Sequence, residues 1–372
     1  MIITIDISQI IYQTGVSRYT RQLVRHLLEL DRTNQYQLFA GTFRGKRQIE
    51  LFAEELRDDD LKFKLIIKNF PPQLAKTIWN QFHIIPIENF VGHTDIFHTS
   101  DWTQPPALKA KKITTIHDLT PLLFPNYHQP SLVANFKRHL SLTQKESSHI
   151  ICVSQSTQKD LLNHTQINPS QTSLIYNGVE DAFKPASVPA IKNLKTRLGI
   201  SQKYLLSVAT LEPRKNILRL IKAFVSLNLA DYQLVLAGKP GWGSLSLPQA
   251  DNIIYPGFIS DRDLPTLYSG ADFFVYPSLY EGFGLPVLEA MACGTPVITS
   301  NISSLPEIVG QAGLLINPKS QTELETAILK LVKTPNLCRQ YSKKGIVKAR
   351  QFNWPACAQK TLDLYHQVYK PK

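Results

Sequence analysis

Short apolar runs rich in β-branched residues alternate along the chain with longer stretches whose apolar residues recur at helical spacing. This alternation predicts βαβ units and parallel sheets. In the first half, seven runs predict strands near residues 2–7, 35–40, 63–67, 96–98, 113–116, 150–153 and 173–176. In the second half, six runs predict strands near residues 204–209, 233–237, 252–255, 273–276, 297–299 and 313–316.

The alternation of strands and helices is interrupted once, near the middle of the chain. Residues 177–190 lack apolar periodicity and contain Gly178, Pro185 and Pro189, which favour turns. The interruption predicts a first domain over residues 1–180 and a second over residues 181–354. The chain of 372 residues is long enough for each domain to have its own hydrophobic core.

Composition places the chain among globular proteins, since 43% of its residues are hydrophobic and 19% are charged. The N-terminal run MIITIDISQI lacks the basic flank and long apolar core of a signal peptide. No stretch reaches the roughly 18 apolar residues that a membrane-spanning helix needs. The cysteines are far apart, which predicts reduced thiols in a cytoplasmic protein and argues against a zinc site. They are Cys152, Cys293, Cys338 and Cys357.

The formal net charge of +12 is concentrated in the second half, where residues 181–372 carry 22 basic and 13 acidic side chains. Such a surplus is compatible with binding nucleic acid, an anionic membrane surface or a phosphorylated substrate. The chain has no arginine-rich block and no basic–aromatic stripe, so we do not expect nucleic acid as a partner. The basic residues from Lys343 to the C-terminus form either a solvated helix face, which we favour, or a contact with anionic lipid headgroups.

Residues 281–306, EGFGLPVLEAMACGTPVITSNISSLP, combine a glycine turn with the start of a helix. Gly282 and Gly284 permit backbone conformations in which main-chain N–H groups come close to a ligand. Pro286 suits the first helical position, and a helix over residues 286–293 directs its positive dipole end at the turn. The segment is therefore typical of a site that binds a diphosphate.

Two glutamates flank this turn and helix. Glu289 has apolar sequence neighbours, and an unpaired buried carboxylate is costly, so we favour a role in the site over a solvated surface position. Glu281 can face the same ligand if it lies in the turn before the helix. The alternative for Glu281 is an acid that stabilises the helix start.

Residues 281–306 resemble the signature of the family 4 glycosyltransferases, and further motifs extend the resemblance over nearly the whole chain. These are DIFHTS at 95–100, TIHDLTPLLFP at 115–125, ICVSQST at 151–157, IYNGV at 175–179 and EPRKN at 212–216. The resemblance implies the GT-B fold, an α/β architecture of two Rossmann-like domains that face each other across a cleft. It also implies an acceptor-side first domain, a donor-binding second domain and a last helix, at about 355–372, that packs back on the first domain.

In the first domain the resemblance assigns roles to His117, Asp118 and Gly15. His117 would contact the transferred sugar as a polar group, although a His–Asp pair outside this family is usually structural. Asp118 would orient His117 or cap the following turn, and His98 is a second histidine candidate. Gly15 would approach the donor phosphate. Ser17 stands where the family often has another glycine, and as a helix N-cap it would still leave N–H donors facing the cleft.

In the second domain the resemblance directs Lys215 and Arg214 at the leaving diphosphate, where charge-assisted contacts strengthen as charge develops. The alternative for these cations is a surface ion pair with Glu212. Asp261 would accept hydrogen bonds from a guanine base, which favours GDP over UDP. We interpret the acids at 261 and 263 as helix-capping residues and not as a metal–diphosphate site.

The remaining donor contacts follow from the glycine turn. The resemblance implies that Glu281 holds sugar hydroxyls and that Glu289 holds the ribose. The other turn residues would surround the diphosphate. They are Gly282, Phe283, Gly284 and Leu285.

The resemblance implies retaining transfer of a hexose from a nucleotide-diphosphate sugar to a hydroxyl of a glycan or lipid-linked acceptor. It is nearest to the subgroup that often transfers mannose, so GDP-mannose is the expected donor. We expect no cofactor and no essential metal, in a cytoplasmic protein that is free or peripheral at the inner membrane face. The alternatives are a nucleotide-sugar epimerase or hydrolase on the same scaffold, and a catalytically silent protein of glycan assembly.

Overall fold

The structure is a computed structural model that describes residues 1–12, 14–100, 103–239, 241, 247–248 and 250–369, apart from the side chain of Pro72. It divides into two compact units. The first unit comprises Met1–Gly178 and Trp354–Lys372, and the second comprises Val179–Asn353. The last three residues of the predicted helical range 355–372 lie outside the described residues.

The first unit contains a parallel sheet of seven strands in the order β3-β2-β1-β4-β5-β6-β7. Its strands are β1 (Ile2–Asp6), β2 (Gln35–Gly41), β3 (Lys64–Lys68), β4 (Ile96–Thr99), β5 (Lys111–Ile116), β6 (His149–Cys152) and β7 (Thr172–Leu174). The order reverses between β1 and β4, which is the switch point of a doubly wound sheet.

Seven helices connect these strands, and the C-terminal segment of the chain adds an eighth helix to this unit. They are α1 (Gly15–Leu30), α2 (Lys46–Asp58), α3 (Pro72–Ala75), α4 (Glu88–Val91), α5 (Thr120–Leu123), α6 (Pro130–Glu146), α7 (Gln155–His164) and α15 (Trp354–Val368). A π-helical segment, Lys76–Gln81, follows α3 directly. Four short 3-10 segments complete the connections, at Ser8–Tyr12, Pro125–Tyr127, Pro169–Gln171 and, in the second unit, Pro213–Lys215.

The C-terminal helix α15 packs in the core of the first unit, mainly against α1. Trp354 and Tyr365 are fully buried there, next to the apolar stripe of α1 that includes Tyr19 and Leu23. The rings of Tyr19 and Trp354 lie 6.0 Å apart. Burial of two such aromatic side chains makes α15 an integral part of this core.

The second unit repeats the architecture with a parallel sheet of six strands in the order β10-β9-β8-β11-β12-β13. Its strands are β8 (Lys203–Val208), β9 (Tyr232–Ala237), β10 (Ile253–Gly257), β11 (Phe273–Tyr276), β12 (Val297–Ser300) and β13 (Leu314–Ile316). The switch point of this sheet lies between β8 and β11. A buried apolar cluster covers one face of this sheet and includes the strand residues Leu205, Leu234 and Val275 and the helical residues Leu220 and Ile328.

One helix of the second unit precedes β8, four lie between successive strands, and the last two follow the sheet. They are α8 (Val188–Arg197), α9 (Ile217–Leu227), α10 (Leu264–Gly270), α11 (Leu285–Ala292), α12 (Leu305–Val309), α13 (Gln321–Lys333) and α14 (Pro335–Ala349).

All thirteen predicted strands occur, each within two residues of its predicted bounds. The helix predicted over 286–293 begins one residue earlier, at Leu285, so Pro286 is its second residue and not its first. All four cysteines are free thiols. Within the described part of the chain, no helix has both the length and the apolar character needed to cross a membrane.

Candidate active site

The switch point of the second sheet brings together three of the predicted site residues. Arg214 and Lys215 lie on the 3-10 turn after β8, and Glu281 lies in the loop after β11. Since β8 and β11 are adjacent parallel strands, their carboxyl ends meet at the same edge of the sheet. Ligands of open α/β sheets bind at this position.

Lys215 and Glu281 form the centre of a buried ion cluster. The Lys215 Nζ donates hydrogen bonds to Glu281 Oε1 at 2.7 Å and to the Tyr276 hydroxyl at 2.8 Å. Arg214 Nη1 lies 3.2 Å from the same Glu281 oxygen. The hydroxyl of Ser278 donates to this oxygen as well, at 2.5 Å. One carboxylate oxygen of Glu281 therefore has three partners, Lys215, Arg214 and Ser278, and its position is strongly constrained.

The electrostatics of the cluster keep Glu281 ionised. Burial alone would raise the pKa of Glu281, but the adjacent Lys215 and Arg214 charges and the hydrogen bond from Ser278 outweigh it and lower this pKa to about 2. The pKa of Lys215 is lowered by burial and by the Arg214 charge, against the opposing effect of Glu281. At neutral pH Glu281 is consequently a hydrogen-bond acceptor and not a proton donor.

Glu212 completes the cluster as a second buried carboxylate. Arg214 Nη2 donates to Glu212 Oε1 at 2.6 Å, so the anticipated pair between these residues exists. It is not a surface pair, because only 1% of Glu212 is exposed. Arg214 also donates to the carbonyl of Tyr280 at 2.5 Å and thereby fastens the loop that carries Glu281.

The glycine turn before α11 uses its two glycines differently. Gly284 has φ +107°, and a Cβ there would lie 2.8 Å from Leu305 Cδ2, so both backbone and space require glycine. Gly282 has no positive φ, and the conformational freedom expected of it is not used. No side chain caps α11 at Gly284. Pro286 has no N–H and the Val287 N–H donates to the Gly284 carbonyl at 3.0 Å, so the first-turn N–H left for an anion is that of Leu285.

Serine hydroxyls fix the glycine turn against the start of α12. Ser304 Oγ donates to the carbonyls of Glu281 and Phe283, at 3.0 and 2.6 Å. The main-chain N–H of Glu281 donates to Ser303 Oγ at 3.1 Å. Sequence reasoning missed these serines and Ser278, although the run SNISS lies inside the segment that it singled out.

Glu289 lies on α11 and is 2% exposed, so the solvated alternative is wrong. The Tyr268 hydroxyl on α10 donates to Glu289 Oε2 at 3.0 Å. Tyr268 is itself held in place, since Thr295 Oγ1 donates to its carbonyl at 2.7 Å. A buried carboxylate on the helix that starts at the glycine turn is thus oriented by a neighbouring helix.

The other predicted donor contacts occupy different surroundings. Phe283 is buried and its ring lies 6.0 Å from that of Phe352, whereas Leu285 is partly exposed as the first residue of α11. Asp261 is exposed in the turn before α10. Its neighbour Asp263 forms an ion pair of 2.6 Å with Arg197. Among the described residues, no group of three His, Cys, Asp or Glu side chains could hold a metal ion.

In the first unit, His117 follows β5 at the carboxyl edge of its sheet. Its ring lies 4.7 Å from the ring of Tyr19, edge to face. Burial lowers the pKa of His117 to about 3, and its Nε2 has no hydrogen-bond partner. A neutral imidazole with an unpaired buried nitrogen is suited to bind a hydroxyl group. Asp118 caps the next turn, since its Oδ1 accepts from the Thr120 N–H at 2.8 Å.

The surroundings of His98 and Gly15 indicate roles in the fold of the first unit. Both ring nitrogens of His98 are hydrogen-bonded, to Tyr365 at 2.5 Å and to Thr115 at 2.8 Å. Gly15 is the first residue of α1, but the N-cap is Thr14 and not Ser17 as expected. Ser17 is the third helical residue, and its Oγ accepts a hydrogen bond from the Thr14 N–H, which completes a capping box.

Two doubly wound parallel sheets, one with a buried ion cluster at its switch point, define an α/β protein of the GT-B glycosyltransferase type. The family model "Glycosyltransferase Family 4" matches residues 13–183, and "Glycosyl transferases group 1" matches residues 191–348. The chain therefore belongs to the family 4, group 1 glycosyltransferases, which confirms the predicted family and fold class.

Individual proteins are also similar to this chain in sequence or structure. The O-antigen chain mannosyltransferase B of Escherichia coli is 29% identical over 95% of this chain and 96% of its own length. Sucrose-phosphate synthase from Thermosynechococcus elongatus has a similar structure, with a TM-score of 0.76 and 21% identity over 99% of both chains. Anabaena Alr3699/HepE, solved with UDP-glucose, gives a TM-score of 0.74 and 19% identity over 98% of this chain and 99% of its own.

Proposed function

We propose that the protein transfers a mannosyl group, with retention, from GDP-mannose to a hydroxyl of a glycan or lipid-linked acceptor. The observation that carries this proposal is the buried cluster of Glu281, Lys215, Arg214 and Glu212 beside the uncapped start of α11. The cluster and the helix start together provide cationic and N–H donors for a diphosphate, next to a carboxylate for sugar hydroxyls.

Lys215 is the cation best placed to act on the leaving group. It donates to Tyr276 and Glu281, and an ammonium group has a third proton to offer. As the bond from the anomeric carbon to the phosphate oxygen breaks, negative charge grows on the diphosphate and this contact strengthens. The acceptor oxygen bonds to the anomeric carbon on the same face, and its proton passes to the leaving phosphate oxygen. Arg214 assists mainly by holding Glu281 and the turn.

The ionisation of Glu281 argues against a glycoside hydrolase. A glycoside hydrolase needs one carboxylic acid with a raised pKa to protonate its leaving group. Glu281 has a lowered pKa of about 2, so it accepts hydrogen bonds from sugar hydroxyls instead. In this proposal His117 contacts the transferred sugar, Glu289 holds the ribose, and Gly15 and Asp261 contact the donor phosphate and the base. No essential metal takes part.

The mannosyltransferase relative supports the choice of sugar, whereas the UDP-glucose complex of a structural neighbour makes UDP-glucose the donor to test against it. We would incubate the protein with each donor and a labelled, mannose-terminated oligosaccharide, with and without EDTA. We expect an elongated product with an α-linkage, shown by NMR, from GDP-mannose only and in both buffers. An inverted linkage would refute retention, and preference for UDP-glucose would refute the donor.

Two further outcomes would refute transfer itself. Release of free mannose without an elongated product would indicate a hydrolase, and a new nucleotide sugar would indicate an epimerase. E281A and K215A should remain folded with little transfer, whereas the matched surface variants E54A and K343A should retain full transfer. Near-normal transfer by both site variants would refute the assigned roles.

A further inference from the structure

Four large apolar side chains of the first unit face solvent within twelve residues of sequence. Leu74, Phe82, Ile84 and Ile85, called the apolar ridge below, each expose between 37% and 62% of their surface. Leu74 belongs to α3, and the other three belong to the loop that follows the π-helical segment Lys76–Gln81. Single exposed apolar residues are common on protein surfaces, but a cluster of this kind usually marks an interaction site.

Hydrogen bonds from beneath hold the apolar ridge in this outward arrangement. The indole N–H of the buried Trp79 donates to the carbonyl of Ile85 at 3.0 Å, and His83 Nδ1 donates to the carbonyl of Trp79 at 2.8 Å. The N–H of Ile84 donates to the carbonyl of Ile78 at 3.0 Å. His83 and Ile85 have φ of +53° and +62°, which is unfavourable for a β-branched isoleucine. The exposure of these side chains is therefore built into the loop.

The sequence around the apolar ridge contains cations and no acids. Residues 61–87 include four lysines and not one Asp or Glu. Two acids near this segment, Glu88 and Glu146, already have partners. Glu88 Oε1 accepts from the N–H groups of residues 108–110, and Glu146 pairs with Lys112 and lies against His83.

Helix α6, next to the π-helical segment, adds further exposed apolar and basic side chains. Asn80 Nδ2 donates to Asn135 Oδ1 on α6 at 3.2 Å. Leu132 and Arg138 lie three residues before and after Asn135, so they flank this contact on the same helix face. Both are exposed, and residues 119–145 contain no acid.

We propose that the apolar ridge inserts into the interfacial region of a lipid bilayer that contains anionic headgroups, with Lys76 and Arg138 contacting those headgroups. Apolar insertion combined with cationic contacts is how peripheral proteins bind such membranes. A second copy of this chain is a poorer partner, because a two-fold interface through the ridge would bring identical cations together. Helix α14 is basic but exposes Val347 as its one large apolar side chain, so it lacks the inserting element. The inference does not depend on which donor sugar is used.

The test is sedimentation with vesicles of phosphatidylcholine alone and of phosphatidylcholine with about one third phosphatidylglycerol. We expect the wild-type protein to bind only the anionic vesicles. F82S/I84S should bind them about tenfold less, because burial of these side chains is lost. V188S/V225S, which removes two exposed apolar side chains of the second unit, should bind like wild type. The thermal midpoint of each variant verifies folding.

Charge and insertion can be tested separately. K76E/R138E should weaken binding to anionic vesicles, whereas K343E/K344E on α14 should not. F82W should keep the wild-type affinity. The emission of the added tryptophan, obtained by subtracting the wild-type spectrum, should shift to shorter wavelength on vesicles and be quenched by brominated lipid. No binding by the wild type, unchanged binding by F82S/I84S, or a loss confined to K343E/K344E would overturn the proposal. A wild-type dimer that F82S/I84S converts to monomer, without vesicle binding, would overturn it too.

Discussion

Exchange of Glu281 for glutamine removes one negative charge from the centre of the buried ion cluster while it keeps the shape of the side chain. The carboxyl has a pKa of about 2 in the folded protein, compared with the ordinary glutamate pKa of 4.5. A difference of this size corresponds to about 3 kcal/mol of folding free energy when both states are ionised. Solvent screening does not reduce this figure much, since 93% of Glu281 is buried.

The sign of the pH dependence follows from the lowered pKa. Between the folded and the unfolded pKa, the unfolded chain binds the proton and the folded one does not. The contribution of Glu281 to stability is therefore fully present above its unfolded pKa and is lost as pH falls through its folded pKa. E281Q should cost about 3 kcal/mol at pH 6 but only about 1 kcal/mol at pH 3, because the glutamine does not titrate.

The assay is denaturant unfolding of wild type and E281Q at both pH values, followed by circular dichroism. Hydrogen exchange of peptides that cover β11 and β12 reports on the second unit separately, because a protein of two units need not unfold in one step. E54Q, a change at an exposed carboxylate, controls for the loss of a surface charge and should cost less than about 1 kcal/mol. A cost of E281Q that is equal at pH 6 and pH 3 would refute the reasoning.

Three further predictions concern individual contacts. G284A should lower the free energy of unfolding by about 1–2 kcal/mol, because alanine is strained at φ +107°. It should also abolish the rise in thermal midpoint that GDP causes. G282A is the control, and equal effects of the two variants would contradict the special role of Gly284. Y268F, which removes the hydroxyl that donates to Glu289, should raise the donor KM several-fold with little change in kcat, and an unchanged KM would count against the role of Glu289. His117 is neutral above its lowered pKa of about 3, so H117A should reduce kcat/KM by a similar factor at every pH from 5 to 8; a loss that varies with pH in this range would show that His117 titrates there.

The helices and strands were predictable because their signals are local. Thirteen apolar runs became strands, and the helix after Gly284 starts within one residue of its predicted position. Chain order also predicted which residues follow the strands at the ligand-binding edge, since parallel strands place their carboxyl ends together. The family resemblance pointed to Arg214 and Lys215 at one such strand end, and the glycine turn pointed to Glu281.

The partners of those residues were not predictable from the sequence. Glu212 precedes Arg214 by two positions, and this spacing does not reveal that the pair is buried. Lys215 and Glu281 are 66 residues apart and meet because β8 and β11 are neighbours in the sheet. Likewise, local sequence did not show that Thr14 caps α1 in place of Ser17, or that Gly284 and not Gly282 has the left-handed conformation.

The sequence by itself determined the alternation of strands and helices, the two α/β units and the residue types at the strand ends, because periodicity and turn chemistry act over a few residues. Only the tertiary structure decided the ionisation of Glu281 and His117, the burial of Glu212 and the outward display of Phe82 and Ile84. These properties depend on which distant groups surround a side chain and on how much water they exclude.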